Sequence, residues 1–372
     1  MRITPFGVEQ WMNAYETRCS YNLAETCVES LTVDQLLALA GAPDAAMTDL
    51  RALKLTYGAI EGSDRLRRAI ASLYEGQQAE NVLVTHGAIG ANALLYETLV
   101  EPGDRVVSVQ PTYQQHYSIP ESYGADVRIL RLRPEHRFLP DLDELAALAT
   151  PGTKLIAINN PNNPTGALMD RPMLGAIAAI ARRANAWVLC DEVYRGLDQE
   201  GSGTTPSMAD LYEQGISTGS MSKAFSLAGL RLGWIVAPRA LLHEVTIHRD
   251  YNTISVGMID DYLATLALEH EDAVLARSRD ITRTNLAMLD AWMAREPRLG
   301  WVKPRSGTTA LLQLPANTPS LDFCIRLLEH TGVMLTPGSV MEMEGWVRIG
   351  YANHPRVLAE GLERLSSFVR TC

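Results

Sequence analysis

Ser220-Met221-Ser222-Lys223, followed eight residues after the lysine by Arg231 in Gly229-Leu230-Arg231-Leu232-Gly233-Trp234, is the stretch on which the reading of this sequence turns. The lysine is flanked by small hydroxyl residues, and after the arginine an apolar run from Trp234 to Ala237 reads as a strand. A lysine amine attacks an aldehyde only when neutral, and partial desolvation among small uncharged neighbours favours that state. Ser220, Ser222 and Arg231 suit a phosphate group, the arginine through its planar fork of donors. Taken alone, the same stretch also describes a surface lysine ahead of a strand. The remainder of a site must come from elsewhere in the chain.

Upstream, strands and helices alternate. Asn81 to Thr85 reads as a strand running into Gly87-Ala88-Ile89-Gly90 and an apolar helix through Leu99. A strand, a glycine-bearing turn and a helix N-terminus point unpaired amides at one place and form a phosphate cradle, although any tight turn of this kind looks similar. Strands follow at Arg105 to Val109, Asp126 to Leu130, Lys154 to Asn159 and Ala186 to Cys190, with helices after Tyr113, from Leu142 to Leu148, and ending at Ala184. Short turns between alternating elements imply a mostly parallel sheet covered on both faces, an α/β fold that binds ligands beyond the C-terminal strand ends. Tyr113, Asn163, Asp191 and Tyr194 all fall just past such ends.

Past Pro238 the pattern changes. A helical stretch from Leu241 to Ala294, interrupted near Asn252 to Gly257, leads to a strand at Thr308 to Leu314 and a helix from Leu321 to Thr331. Short strands at Val333 to Thr336 and Trp346 to Gly350 precede a last helix, Val357 to Val369. These elements predict a smaller α+β domain. The expected division is an N-terminal arm and part of the small domain in 1–45, a large domain in 46–264 and a C-terminal small domain in 265–372. The arm carries Phe6, Val8, Trp11, Met12 and Tyr15 at helical spacing, and Ser30 or Thr32 caps a helix over Val33 to Leu39.

Composition narrows the function. With 372 residues, 47% of them hydrophobic, the chain has a full core, and disordered and collagen-like classes are excluded. The net charge of -10 and the lack of a basic run argue against nucleic acid or an anionic membrane surface as partner. The five cysteines, Cys19, Cys27, Cys190, Cys324 and Cys372, are scattered without C-x-x-C spacing, so neither a disulfide framework nor a zinc site is indicated. No apolar leader precedes the first elements and no segment approaches 18 apolar residues, so the expected location is the cytoplasm.

The strand-end residues have a common use. Asp191 suits a protonated pyridine nitrogen and keeps such a ring an electron sink. Asn163 and Tyr194 suit donors to a ring phenolate, and Tyr113 suits stacking on the ring. Singly, Asp191 is also a helix cap, Asn163 a turn residue and the two tyrosines core aromatics. Together, at successive strand ends, they describe a site for pyridoxal 5′-phosphate.

From about Tyr57 onward the chain resembles the class I/II, fold-type I aminotransferases. The resemblance rests on Tyr57-Gly58, Gly87-Ala88, Pro111-Thr112-Tyr113, Asn160-Pro161-Asn162-Asn163-Pro164-Thr165-Gly166, Asp191-Glu192-Val193-Tyr194, Ser220-Met221-Ser222-Lys223, Arg231 and Val347-Arg348-Ile349-Gly350. It implies that Lys223 carries the cofactor, that Asp191 pairs with the pyridine nitrogen, and that Asn163 and Tyr194 contact the ring oxygen. Gly87, Ala88, Ile89, Ser220, Ser222 and Arg231 then surround the phosphate, and Arg348 clamps the substrate α-carboxylate beside Asn163. It implies as well a homodimer with shared sites, Tyr57 reaching the neighbouring subunit's phosphate. Expected partners are an α-amino acid and a 2-keto acid, exchanged by transamination.

The N-terminal segment departs from that pattern. Leu23-Ala24-Glu25-Thr26-Cys27-Val28-Glu29 stands where common members carry a Gly-x-Pro-Asp turn. With Ser226-Leu227-Ala228-Gly229-Leu230 and Arg249-Asp250-Tyr251, this segment is similar to a branch of cyclising enzymes that make cyclic arginine derivatives such as capreomycidine. That similarity implies an alternative, elimination followed by ring closure on an arginine-derived amino acid. Glu9, Glu16, Glu25 and Glu29 read most simply as solvated acids on an arm. Any of them turned inward instead favours a cationic substrate side chain.

Overall fold

The computed structural model describes residues 2–41 and 43–371, so Cys372 lies outside the described residues. After a two-residue strand β1 (Tyr21–Asn22), seven strands build the main sheet: β2 (Val82–Thr85), β3 (Arg105–Gln110), β4 (Asp126–Arg131), β5 (Thr153–Asn159), β6 (Trp187–Asp191), β7 (Gly215–Ser220) and β8 (Gly233–Val236). Their order is β2-β8-β7-β6-β5-β3-β4. Only β8 runs antiparallel to its neighbours, pairing Val84 with Trp234 on one side and Gly219 with Trp234 on the other.

Neighbouring residues of the parallel strands serve opposite faces. Val106, Leu155 and Ala157 pack toward the helices Gly87–Leu99 and Arg239–Arg249, whereas Val107, Ile156 and Ile158 pack toward Leu142–Leu148 and Arg171–Ala184. A strand pointing alternate side chains to two covered faces must be apolar throughout, which is why β5 reads Leu-Ile-Ala-Ile without alternation.

The C-terminal region holds β9 (Gly300–Trp301), β10 (Thr309–Gln313), β11 (Val333–Met334), β12 (Thr336–Pro337) and β13 (Trp346–Gly350). Four of them form a sheet in the order β12-β13-β10-β9, and β11 pairs instead with β1. Trp11, Leu23 and Ala24 are buried in one cluster with Leu289, Leu312, Phe323, Val347 and Leu362, so the start of the chain packs on its end.

Several boundaries differ from expectation. The single helical stretch after Pro238 is three helices, Arg239–Arg249, Met258–Glu269 and Glu271–Met293, with a further break at His270. The expected strand at Val333 to Thr336 is two short ones serving different sheets. A helix at Pro43–Ala52 lacks a sequence forecast because only Ala46 of it is buried, leaving little apolar periodicity. Thr32, not Ser30, caps Val33–Leu39, its hydroxyl accepting from the Gln35 amide at 3.1 Å while Gln35 reaches back to the Thr32 amide at 2.9 Å.

Candidate active site

One cavity of about 380 Å³ opens at the C-terminal ends of β5, β6 and β7, where a parallel sheet gathers its loops. Gly87, Ala88, Ile89, Tyr113, Asn163, Asp191, Tyr194, Ser220, Ser222, Lys223, Arg231 and Arg348 all line it. Every expected site residue is therefore brought to one place except Tyr57, which is 80% exposed and outside the cavity of its own chain.

The sheet fixes the floor. The Asp191 carbonyl accepts from the Asn159 amide side chain at 2.8 Å and from the Asn160 backbone at 2.9 Å, locking the ends of β5 and β6 together. The Asp191 carboxylate is buried, and Asn92 Nδ2 donates to its Oδ2 at 2.9 Å. Asn92 Oδ1 in turn accepts from the Thr218 hydroxyl at 2.9 Å. His116, fully buried, places Nε2 3.5 Å from Asp191 Oδ2, with the Tyr96 hydroxyl 2.8 Å from its Nδ1. Among the described residues no lysine or arginine pairs with Asp191, and His116 Nε2 has no hydrogen-bond partner. A buried carboxylate facing a cavity with no fixed cation is suited to a cationic ring nitrogen.

Beside it, the first residues of the helix Gly87–Leu99 line the cavity with Ser220, Ser222 and Arg231, and no side chain caps that helix start. The chain passes so close here that a Cβ on Gly233 would lie 2.3 Å from the Gly87 carbonyl carbon and 2.5 Å from the Ala88 nitrogen. Glycine is thus required where β8 presses on the cradle. The donor set of helix amides, two hydroxyls and a guanidinium fits a phosphate.

Lys223 is held by the segment after β1. Its Nζ donates to the Thr26 hydroxyl at 2.7 Å and to Cys27 Sγ at 3.3 Å. The sequence predicts a depressed amine pKa, and here the structure differs: burial does oppose the charge, but Cys27, Tyr194 and Glu25 around it push the value up overall. Burial raises the Cys27 thiol, so at neutral pH that sulfur is an uncharged acceptor and Glu25 is the formal charge supporting the ammonium. Glu25 shows the reciprocal effect. Burial works against its carboxylate, yet Lys223 and the Thr26 and Cys27 amides, 2.6 and 2.8 Å from Oε1, hold its pKa below the usual value.

Arg348, on β13, is also buried. Its Nη1 donates to Asn163 Oδ1 at 3.2 Å, and its Nη2 donates to the Ala24 carbonyl at 3.1 Å and the Thr336 hydroxyl at 3.2 Å. Its Nε is left without a partner. Burial lowers its pKa, an effect that Tyr194, Glu25 and Glu9 oppose, and a guanidinium remains charged throughout. Arg348 lines the cavity, and a guanidinium with an unpaired buried donor suits an anion, its planar fork matching a carboxylate.

Of the four acidic candidates, Glu9 and Glu16 are exposed, as expected of an arm, yet both line the cavity together with Glu25. Glu29 does not, and its carbonyl accepts from Arg277 at 2.9 Å. Tyr113 donates from its hydroxyl to Glu9 Oε1 at 3.2 Å. The sequence reading missed Asn92, His116, Thr26 and Cys27. Asn92 had a usable signal, a lone amide within an apolar helix, whereas Thr26 and Cys27 had none without the path of the segment.

Phosphate cradle, half-buried lysine, strand-end carboxylate and orphaned arginine define a fold-type I enzyme site fitted to pyridoxal 5′-phosphate. The profile of the family Aminotransferase class I and II matches residues 42–365, and the chain belongs to that family of pyridoxal-phosphate-dependent enzymes. It is 32% identical to capreomycidine synthase of Streptomyces vinaceus over 98% of this chain and 93% of that one. It is 30% identical to an arginine–pyruvate transaminase of Pseudomonas aeruginosa, over 87% and 84% of the two chains. Among solved structures it is similar to a PLP-dependent aminotransferase from Streptococcus suis, with a TM-score of 0.97 at 42% identity, covering 100% of this chain and 99% of the other.

Proposed function

We propose that this chain moves an amino group between an α-amino acid and a 2-keto acid, with Lys223 as the proton-transfer group and Arg348 as the carboxylate clamp. The observation that carries this reading is the convergence of Lys223, Asp191 and Arg348 on one cavity. When bound, pyridoxal phosphate supplies an aldehyde that takes up the amino group and a ring that accepts the electron pair left at the α-carbon. The amides of Ala88 and Ile89, with Ser220, Ser222 and Arg231, would hold its phosphate. Asp191, oriented by Asn92, would keep the ring nitrogen protonated. Asn163 and Tyr194 would contact the ring oxygen and Tyr113 would stack on the ring face.

Arg348 orients the substrate α-carboxylate, with Nε and the two terminal nitrogens in a fixed fork. Lys223 Nζ, once not covalently bound, takes the proton from the substrate α-carbon and carries it, with Thr26 and Cys27 as the acceptors of its remaining N–H groups. Thr26 and Tyr194 are buried, which keeps water from competing for that proton.

We assign a homodimer, supported by exposed Leu55, Tyr57, Ile60 and Tyr251, large apolar side chains whose exposure a second copy would relieve. Among the described residues no helix is long and apolar enough to cross a membrane, and we place the protein in the cytoplasm on composition.

A second reading keeps the same residues but ends in loss of a leaving group from the side chain of an arginine derivative and a new bond from its guanidine nitrogen to that carbon chain, closing a ring. What favours it is the 32% identity over 98% of the chain to capreomycidine synthase. A donor screen with and without keto acid separates the two. Transamination gives bleaching of the yellow cofactor by an amino acid and recovery only when keto acid is added. Product formed from an arginine derivative without keto acid replaces it with the second reading.

A further inference from the structure

The helix Gly87–Leu99 carries two buried polar side chains one turn apart on the face toward Asp191, Asn92 and Tyr96. Asn92 lines the cavity and reaches Asp191 directly, whereas Tyr96 does not line it. The Tyr96 hydroxyl ends instead 2.8 Å from Nδ1 of His116, on the helix Gln115–Ser122, and the two rings meet edge to face. His116 is also outside the cavity lining. It stands between Tyr96 and the carboxylate, its Nε2 3.5 Å from Asp191 Oδ2.

These contacts fix where the imidazole proton sits. The Tyr96 phenol keeps its own proton, because burial, with Asp191 adding to it, raises its pKa well above the ordinary value. That proton has two acceptors within reach, His116 Nδ1 at 2.8 Å and the His116 carbonyl at 3.4 Å, and the shorter contact takes it. With Nδ1 accepting, the ring's proton belongs on Nε2, the nitrogen turned to Asp191. The opposite tautomer would set a lone pair against a buried carboxylate oxygen, two acceptors 3.5 Å apart with no donor between them. The remaining partners of the carboxylate agree. The Val193 amide donates to Oδ1 at 3.2 Å and Asn92 to Oδ2 at 2.9 Å, so both oxygens are offered donors and neither meets a lysine or arginine among the described residues.

We propose that Tyr96 is a positioning residue for the cofactor: acting through His116, it keeps the imidazole proton on Nε2 as a dipole facing Asp191, and so leaves the carboxylate's charge for the ring nitrogen. This rests on Asp191 facing the ring nitrogen, as proposed above. An imidazole protonated on both nitrogens would itself be the cation that Asp191 lacks, and it would compete with the cofactor. Tyr96 opposes that state, since a proton on Nδ1 must reverse its hydrogen bond and send the phenol proton to the longer contact. A phenylalanine at position 96 removes the restraint and leaves Nδ1 buried without a partner. His116 is then free to present either tautomer, or a second proton, to the carboxylate.

The test uses the full chain, with and without cofactor, and the variants Tyr96→Phe, His116→Asn and the two combined, each checked for folding by thermal melting. NMR of protein with isotope-labelled histidine nitrogens locates the proton, the His116 signals being those missing from His116→Asn. Titration of the apoprotein with pyridoxal phosphate, followed by absorbance, gives the cofactor Kd. The wild type is expected to carry its His116 proton on Nε2 with Nδ1 bare. Tyr96→Phe is expected to lose that single-tautomer signature, to bind cofactor about tenfold more weakly, and to lower kcat with little change in the amino-acid KM. In the His116→Asn background the same substitution adds nothing to Kd. A wild-type proton on Nδ1 or on both nitrogens overturns the proposal. So does an unchanged tautomer in Tyr96→Phe, or a loss of affinity that persists in full without His116, which makes Tyr96 a packing residue. Those outcomes leave cofactor binding and transamination standing. A wild-type chain that takes up no pyridoxal phosphate overturns that reading instead, and the proposal with it.

Discussion

The floor of the cavity and its rim are built in opposite ways. The floor comes from one sheet: Asp191 ends β6, Ser220 ends β7, and Asn163 follows β5, so backbone ladders set their relative positions to the register of the strands. The rim comes from the first 28 residues, which reach the cavity because Trp11, Leu23 and Ala24 are buried in the C-terminal cluster. Floor side chains are buried and interlocked through Asn92, Thr218 and Asn159, whereas Glu9 and Glu16 are solvated and touch neutral groups. The floor is thus set by strand register, whereas the rim depends on packing between the two ends of the chain.

That contrast makes graded predictions. The largest effect falls on the floor: Lys223→Ala is expected to bind cofactor but lose at least about 10³-fold in turnover, measured as single-turnover loss of substrate, because among the described residues no other lysine lines the cavity. Near-normal turnover would break the assignment. Next is Arg348→Lys, which keeps the charge but loses the fork and strands Asn163 and Thr336. Steady-state kinetics are expected to show kcat/KM down by about a hundredfold.

Gly350→Ala joins the two regions. A Cβ there would meet the Glu25 carbonyl oxygen at 1.7 Å, and the Gly350 amide donates to the Leu23 carbonyl at 2.7 Å, so the rim segment must move away from β13. Melting and kinetics together are expected to show a loss of roughly 1–3 kcal/mol in stability with a raised KM, while cofactor binding at the floor is retained. Loss of cofactor binding alone would mean that the segment is part of the floor.

The smallest effect concerns Glu25→Gln. Removing the carboxylate removes support for the charged amine, so the pH midpoint for cofactor uptake, followed by absorbance, should move down. No shift would assign the raised Lys223 pKa to another neighbour. The same pair has a stability signature. The folded Glu25 pKa lies below 4.5 and that of Lys223 above 10.5. Their attraction therefore stabilises the fold between those values. It is lost as acid protonates Glu25 below 4.5 and as base deprotonates Lys223 above 10.5.

Legibility in the sequence followed the same division. Asp191, Asn163 and Ser220 were readable because alternating strands and helices force a parallel sheet, and such sheets present their ends to ligands. Lys223 and Arg231 were readable from residue type and spacing. The rim was not, since its position depends on β1 pairing Tyr21 with Val333, a contact between opposite ends of the chain that no local pattern encodes. The Lys223 pKa was misjudged for this reason: its neighbours in sequence are small and uncharged, but its neighbours in space include Glu25 and Cys27. His116 lies in the helix Gln115–Ser122, which the sequence places after Tyr113 without marking any of its residues.

The central claim is that Lys223 carries the cofactor at the floor of this cavity. Borohydride reduction of the cofactor-saturated protein, followed by peptide mapping, tests it most directly. The account predicts one pyridoxyl-modified peptide, containing Lys223, and none in the Lys223→Ala variant. Modification at another lysine, or none in a fully saturated preparation, would contradict it.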